Sequence, residues 1–333
     1  MSAKAKALTT GLILCLAGLA IAAWLLFGGA GGSGLSYANA DKYTAGDTEI
    51  ASPIEELEVE WTEGFVHIEY YSGDRIRVSE TSPRKLSEDD KLRWWLDGTT
   101  LRIRYAKSGI RLFSANLEKT LTVSLPEGTV LKNAGIHATS ADLNIRELSA
   151  EEIALDTSSG DISAAVTAKK LKASSTSGDM KISQEEDLDT ATLDSTSGNI
   201  GASFGSAKEI AVTTTSGGAG VTVTGAADRV KAHSTSGNVY LDLAEAGTAE
   251  ASSTSGSVSF KAGRIGTLKI DSTSGDVTAC LPEDPGFRCE ISTTSGDISS
   301  DLAVKQEGSV YTCGDESAKC RISTTSGDVR LAK

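Results

Sequence analysis

The sequence predicts an all-β protein: a β-solenoid, like a right-handed β-helix with two strands per coil of about 19–20 residues, behind one N-terminal transmembrane helix. Three observations predict it. A Thr-Ser-Gly-Asp/Asn-Ile/Val phrase recurs through the second half, apolar residues alternate on both sides of it, and an uncharged segment runs from Leu8 to Phe27. With 34 glycines but 5 prolines, the composition excludes collagen-like and proline-rich proteins.

The uncharged segment is long enough to cross a membrane. At about 1.5 Å per residue its twenty residues span roughly 30 Å, the thickness of a hydrocarbon core. Lys4 and Lys6 precede it, so we expect a cytoplasmic N-terminus. Residues 1–30 are thus predicted to be the tail and signal-anchor of a single-pass plasma-membrane protein with an extracellular C-terminal domain. Cleavage after Ala40, as in a signal peptide, stays an alternative.

Two further segments separate this anchor from the repeats. Residues 31–55 are rich in Gly and polar residues, which predicts a flexible stalk. Residues 56–135 are predicted to form a β cap with one short helix over residues 87–95, begun by a Ser cap, before a strand at Leu101–Tyr105. Large rings there would plug the open end of the solenoid; they are Trp61, Tyr70, Tyr71, Trp94, Trp95 and Tyr105.

Residues 136–333 carry the repeats. The phrase occurs nine times at intervals of 18–21 residues, apart from a last interval of 31 residues. A period held this long is the signature of a stacked repeat architecture. The repeat glycines are Gly160, Gly178, Gly198, Gly217, Gly237, Gly256, Gly275, Gly296 and Gly327.

Each repeat is numbered from its glycine as position 0. Apolar or small residues occupy −7, −5, +2 and +4, as in Leu268, Ile270, Val277 and Ala279. This alternation predicts two strands joined at a corner. We expect the glycine to supply a permissive backbone there and the +1 Asp or Asn to bond amides. Stacked coils about 4.8 Å apart would align Ser/Thr at −3 and −1 into inward ladders.

Several segments together resemble a known family. They are the anchor, the opening strand pair Leu57 to Tyr70, Asp97 to Ile103, Val123 to Gly128, and the tandem repeats. The chain resembles the bacterial β-strand-repeat surface-domain family labelled "putative adhesin" over about residues 55–333. The resemblance implies a surface β-solenoid with no agreed catalytic residues. Two departures are Ala141 in place of the first repeat glycine and a cysteine-bearing insertion in the last interval.

Four cysteines follow the predicted anchor: Cys280, Cys289, Cys313 and Cys320. An even number in an extracellular domain predicts disulfides, and the spacing lacks the knuckles of a zinc site. Pairing within each local loop is one possibility. Pairing Cys289 with Cys320, which both occupy −7, and Cys280 with Cys313 is the other. Either pairing would staple the C-terminal edge of the stack.

Metal, cofactor and catalytic sites are not predicted. The +1 acids Asp161, Asp179, Asp276, Asp297 and Asp328 could in principle hold Ca²⁺. Asn, Gly or Ser interrupts their ladder, which favours a role in the turns. His67, His137 and His233 fall in different coils with no repeated acid or cysteine beside them. We therefore predict no cofactor and no enzymatic activity.

The predicted function is binding. A net charge of −13 and a pI near 4.8 argue against nucleic acid as a partner. We expect a membrane-anchored cell-surface module, such as an adhesin, that binds a glycan, an envelope polymer or a surface protein. One alternative is an envelope-stress or signalling accessory that acts through a membrane partner. The other is a β-helix polysaccharide lyase.

Overall fold

The computed structural model describes residues 36–109, 117–282, 284 and 286–333. These residues form an all-β fold of 23 strands and one 3-10 helix at Ala40–Lys42. All the strands join in one sheet. Successive repeats pair in parallel and in register, so that the sheet forms a solenoid-like stack of coils.

The predicted transmembrane helix is not part of this fold. Residues 8–27, which carry that prediction, lie outside the described residues. Within the described part of the chain, no helix is long and apolar enough to cross a membrane. The predicted fold class is corrected accordingly to an all-β fold, and the predicted single-pass location in the plasma membrane is corrected with it.

Seven strands precede the repeats, and β3 is their centre. One edge of β3 pairs in parallel with β6 and then with β7. β6 pairs antiparallel with β5, and β7 pairs antiparallel with β4. β1 and β2, which fall within the predicted stalk, pair antiparallel with β5 and β4 respectively. The bounds are β1 Thr44–Ala45, β2 Thr48–Ile50, β3 Glu56–Tyr71, β4 Ile76–Thr81, β5 Arg93–Asp97, β6 Thr100–Arg104 and β7 Thr120–Pro126.

The short helix predicted over residues 87–95 is wrong. Residues 88–90 form a turn, and the chain then enters β5. The apolar residues here alternate with period two: Trp94 pairs with Ile103 and Leu96 pairs with Leu101. Both Trp94 and Leu96 pack against the core, which a strand allows and a helix would not.

Two of the six rings predicted to plug the N-terminal end, Trp61 and Tyr105, are buried, and they lie around a buried ion pair. The Trp61 ring is 2% exposed and meets Tyr105 edge-on, with centroids 4.9 Å apart. Lys119 is fully buried between these rings, and its Nζ lies 2.5 Å from Glu80 Oε2. The ammonium also donates to the carbonyl oxygen of Asp90 at 2.7 Å. Hydrogen bonds and the carboxylate together offset the cost of burying this charge.

The repeats as far as Ser272 form nine strands. Two strands per coil, as predicted, are seen over residues 180–214, whereas β14, β15 and β16 each run through most of a coil as one strand. The bend in β14 is absorbed by a register irregularity between Val223 and Ala226 rather than by a break. The bounds are β8 Leu131–Thr157, β9 Ile162–Ser175, β10 Met180–Gln184, β11 Leu188–Ser195, β12 Ile200–Phe204, β13 Ala207–Thr214, β14 Ala219–Ser234, β15 Val239–Ser253 and β16 Val258–Ser272.

The repeat glycines are required by close packing between coils. A Cβ at Gly237 would lie less than 3.0 Å from the carbonyl oxygen of Gly217 in the preceding coil, and Gly178 meets Gly160 in the same way. None of the nine repeat glycines has a positive φ. The expected need for a permissive backbone is therefore wrong, and steric exclusion of a side chain takes its place.

The −3 hydroxyl completes each corner. Ser234 Oγ accepts a hydrogen bond from the amide of Gly237 at 2.7 Å and donates to the carbonyl of Gly217 at 2.8 Å. The amide–hydroxyl bond recurs at 2.7–3.1 Å in six coils. The expected second inward ladder at −1 is wrong, because residues such as Ser177 and Ser236 are exposed.

The +1 side chains also act between coils. Asp161 Oδ1 accepts the amide of Asp179 at 2.8 Å, and Asp179 Oδ1 accepts that of Asn199 at 2.7 Å. Seven such bonds of 2.7–2.9 Å link +1 positions along the stack. Asn serves as well as Asp because only one side-chain oxygen is needed, which explains the loss of charge at Asn199 and Asn238.

The last two coils are stacked out of sequence order. β16 pairs with β22, which pairs with β18; likewise β17 pairs with β23, which pairs with β19. The C-terminal repeat is thus inserted between two earlier ones. Hairpin β20–β21 covers part of β18. The bounds are β17 Val277–Cys280, β18 Gly286–Ser295, β19 Ile298–Ser300, β20 Lys305–Glu307, β21 Val310–Gly314, β22 Ala318–Ser326 and β23 Val329–Ala332.

Candidate functional site

An open groove crosses the outer face of the stack where β9, β10, β12, β14 and β15 lie side by side. We call it the outer groove and define it by Lys181, Gly201, Gly218, Gly220, Asn238 and Tyr240, with Asp161 and Asp179 at its rim. In-register pairing creates it, because +3 residues of neighbouring coils stand next to one another on the outer face. Lys181 pairs with Gly201, Gly201 with Gly220, and Gly220 with Tyr240.

Two successive glycines at +3 form the floor of the outer groove. Gly201 and Gly220 leave the backbone of β12 and β14 uncovered, and Gly218 at +1 widens the gap at the corner. Lys181 stands on one side of this floor and Tyr240 on the other, three strand spacings or roughly 14 Å apart. The groove is therefore a shallow trough suited to an extended ligand lying across the strands.

Tyr240 presents an aromatic wall in a fixed orientation. It is 44% exposed, and the other large apolar side chains that are exposed among the described residues are Phe65 and Val130. Its hydroxyl donates to Asp242 Oδ2 at 3.1 Å. Burial, this hydrogen bond and the charge of Asp242 raise the pKa of Tyr240, so the phenol stays protonated at neutral pH. The ring can thus offer one face to a ligand while its hydroxyl is anchored.

Polar side chains border a lining that is mostly apolar in the outer groove. Asp179 Oδ1 accepts the amide of Asn199. The Asp179 side chain is exposed, so its second carboxylate oxygen faces solvent as an acceptor. Asn238 uses Oδ1 to accept the amide of Ser257, and its side-chain NH₂ group is a donor. With Lys181 and the hydroxyls of Ser183 and Ser203, the trough offers both donors and acceptors. This mixture is suited to a ligand rich in hydroxyl groups.

A polar ladder at −4 places an acid beside one of the three histidines. His137 Nδ1 lies 2.9 Å from Asp156 Oδ2, so an acid does stand beside this histidine. Burial alone would raise the pKa of Asp156, but hydrogen bonds with His137 and Ser174 lower it below its usual value. Stacking of −4 positions in adjacent coils was the signal that could have revealed this pair.

The −4 ladder does not assemble a nucleophile with an oriented base. Ser174 donates to Asp156, so the acid lies between the serine and His137. A triad needs the histidine between them. His233 Nδ1 lies 2.9 Å from Ser252 Oγ, but no carboxylate in the described part of the chain is within ion-pair distance of His233. Burial and nearby Lys231 lower the pKa of His233, so the folded chain favours the neutral imidazole.

Of the predicted cysteine pairs, only Cys289 and Cys320 lie opposite each other on neighbouring strands. Cys289 and Cys320 are register partners in β18 and β22, and both are buried. Their thiols share a hydrogen bond, which together with burial raises the pKa of Cys289. Cys280 pairs in register with Ala332, and Cys313 with Phe287. No disulfide joins the four in the described structure, which does not support the predicted staples.

The corner acids do not gather into a metal centre. Among the residues that the structure describes, no group of three or more His, Cys, Asp or Glu is arranged to hold a metal ion. In addition, +1 carboxylates along the stack already use one oxygen to accept the amide of a neighbouring coil.

Comparison with protein families decides where the chain belongs. The family model of Toastrack DUF4097 matches residues 54–265 and again residues 249–332. The chain belongs to the Toastrack family. This membership agrees with the resemblance to the adhesin-labelled repeat family. No curated protein matches the chain.

Solved structures with a similar trace are described as proteins of two kinds. A putative adhesin from Bacteroides fragilis is 12% identical with a TM-score of 0.37, covering 87% of this chain and 97% of that one. A putative adhesin from Parabacteroides merdae is 11% identical with a TM-score of 0.41, covering 88% and 97%. A putative lipid binding protein from Parabacteroides distasonis is 11% identical with a TM-score of 0.37, covering 86% and 96%. At these values the likenesses carry no functional argument for this Toastrack protein.

Proposed function

We propose that this Toastrack protein is a non-catalytic binding module that holds a neutral, hydroxyl-rich polymer, such as a glycan chain, in the outer groove. The observation that carries the proposal is the trough itself: a glycine floor over two coils, closed by an exposed tyrosine ring. A tyrosine combines a large apolar face with little conformational freedom, so it is an efficient contact for the face of a sugar ring.

The charge distribution narrows the class of polymer. The chain carries a net charge of −13, and Asp161 and Asp179 stand at the rim of the outer groove with Lys181 as the neighbouring cation. A polyanionic glycan would meet repulsion from both carboxylates. A neutral glycan avoids that repulsion, and its hydroxyls can donate to the rim carboxylates and accept from Lys181.

The test is a binding screen of the protein against neutral and acidic glycans, followed by titration of each hit. Tyr240→Ala is expected to weaken binding of a neutral glycan at least about tenfold, because it removes the aromatic wall. Phe65→Ala is the matched control. Phe65 is also 44% exposed, but it lies in β3 outside the outer groove, so its loss should leave binding unchanged.

A second variant tests the floor. Gly220→Thr places a β-branched side chain in the trough, where an added Cβ would lie 3.6 Å from the nearest atom and a strand tolerates it. We expect folding to be kept and glycan binding to be lost. If no glycan binds, or if both Tyr240→Ala and Gly220→Thr bind as the parent does, the outer groove is not the site. Release of shortened sugar chains would contradict the non-catalytic part.

A further inference from the structure

At the far end of the stack, one strand edge has no strand partner among the residues that the structure describes, and it is distinct from the outer groove. Because the C-terminal repeat is inserted inward, the last coil in space is the one formed by β18 and β19 around Gly296. Hairpin β20–β21 pairs with β18 only as far as Glu290, and the amide of Ile291 bonds Ser309. Beyond that point, residues 292–300 pair with β22 and β23 on one side only, within the described structure. We call residues 292–300 the terminal edge.

Interior corners show what normally covers such an edge. The next coil places its −3 hydroxyl on the corner carbonyl, as Ser234 does on Gly217. The +1 amide of the next coil donates to the +1 side-chain oxygen of the covered coil, as Asp179 donates to Asp161. The +1 carbonyl of the next coil accepts the +2 amide of the covered coil, as the carbonyl of Asp179 accepts the amide of Ile162. Its own glycine is obligatory, since a Cβ would collide with the corner carbonyl. One sequence phrase satisfies all four requirements.

The terminal edge offers the same groups without a coil to use them. Asp297 donates its amide to Asp328, and its carbonyl accepts from Val329, so its inner side is engaged. The Gly296 carbonyl, the Asp297 carboxylate and the amide of Ile298 correspond to the groups that an interior coil uses on its outer side. Ser295, Gly296 and Asp297 are all exposed, whereas interior repeat glycines such as Gly178 are buried.

The terminal edge also lacks the features that protect strand edges. Residues 292–300 contain no Lys, Arg or Pro and have a single acid, at the corner. By contrast, β20 at the outside of the neighbouring hairpin carries the exposed charges Lys305 and Glu307. The hairpin therefore shields one half of the last coil and leaves the other half available.

We infer that the terminal edge binds an extended protein strand by parallel strand addition, and that the strand recognised carries the repeat phrase itself. The partner strand needs Ser or Thr three residues before a glycine that lies against Gly296, with a free amide after that glycine. Main-chain bonds would give affinity, and the glycine and hydroxyl would give specificity, as in other strand-addition sites. The partner is thus another chain with a Thr-Ser-Gly repeat.

Binding of a labelled peptide to the full-length protein tests this inference. The probe is the 14-residue peptide of residues 249–262, AEASSTSGSVSFKA, followed by fluorescence anisotropy. We expect saturable binding that is lost when the peptide carries Gly256→Val or Ser253→Ala. On the protein, Ile298→Pro removes the edge amide and should abolish binding. Pro is tolerated at the first residue of an edge strand, so the variant should fold.

Matched variants separate edge chemistry from packing. Ile298→Ala loses the same apolar contacts but keeps the amide, so it should bind within about twofold of the parent. Asp297→Ala should weaken binding by about three- to tenfold, whereas Asp297→Asn keeps the acceptor and should bind normally. Equal binding by all four variants, or no binding by the parent protein, overturns the inference. The inference is also overturned if the protein forms a dimer that Ile298→Pro dissociates but that the peptide does not compete away.

Discussion

At the scale of the residue, each corner depends on a glycine and a hydroxyl that act together. The glycine lets one coil approach the carbonyl of the preceding coil, and the −3 hydroxyl then bonds both that carbonyl and the glycine amide. Removing the hydroxyl would leave a buried amide without a partner, which costs about 1–3 kcal/mol. The phrase therefore reflects a packing requirement between coils rather than a property of one turn.

Gly237→Ala should destabilise the protein by about 3 kcal/mol, because its Cβ cannot fit beside the Gly217 carbonyl without moving a whole coil. The measurement is the free energy of unfolding in urea. Gly201→Ala is the control, since a Cβ added there would lie 3.9 Å from the nearest atom. Similar stabilities for the two variants would contradict the steric account of the repeat glycine.

The sequence predicted these residues better than it predicted their roles. Period-two alternation located the strands of the repeats, although it missed β5, and the phrase located the nine corners that carry a repeat glycine. The reason for the glycine could not be read from one repeat, because the obstructing carbonyl belongs to the preceding coil. The outer groove was missed for the same reason. Gly201 and Gly220 are ordinary surface residues until the register places them side by side.

At the scale of the element, side chains at −4 stand next to one another on neighbouring strands, and some of them are titratable. Thr213, His233 and Ser252 are consecutive partners in β13, β14 and β15. His233 has a lowered pKa because burial, and secondarily the charge of Lys231, disfavours its protonated form. Asp156, further along the ladder, has a lowered pKa because its hydrogen bonds outweigh its burial. The two shifts act in different pH ranges.

Acidification should destabilise the folded state through His233. The unfolded chain binds a proton near the ordinary value of about 6.5, whereas the folded chain binds it only at lower pH. Stability attributable to His233 is therefore present above pH 6.5 and is lost as the pH falls below it. The melting temperature should drop between about pH 7 and pH 5, and His233→Gln should flatten that drop.

His67→Gln is the control for the histidine experiment, since His67 lies in β3 away from β14. The same two variants should be compared at pH 8, where the contribution of His233 no longer changes with pH. An unchanged drop in His233→Gln, or an equal flattening in His67→Gln, would assign the pH response to other groups. Loss of the Asp156 contribution belongs to more acidic conditions, below its ordinary value of about 3.9.

At the scale of the whole molecule, the order of the coils in space departs from their order in sequence. A repeat pattern alone predicts that consecutive repeats are neighbours in space. The first eight phrases are regularly spaced and agree with that order. The long last interval, with the β20–β21 hairpin, lets the chain move outward by two coils and return by one. Because no hydrophobic signal distinguishes the two C-terminal coils, the sequence could not reveal which of them is outermost.

This insertion predicts an unusual response to truncation. A chain ending at residue 317 lacks β22 and β23, so β16 loses its neighbour and β18 loses its parallel partner. Residues 286–314 should then detach and become sensitive to proteolysis, although they are still present. A chain ending at residue 281 lacks both terminal coils but keeps the stack intact as far as β17. The stack up to β17 should resist protease equally well in the two truncated chains. If the chain ending at 317 instead protects residues 286–314, these strands pack directly on β16 and β17, and the insertion is not what holds the last coil.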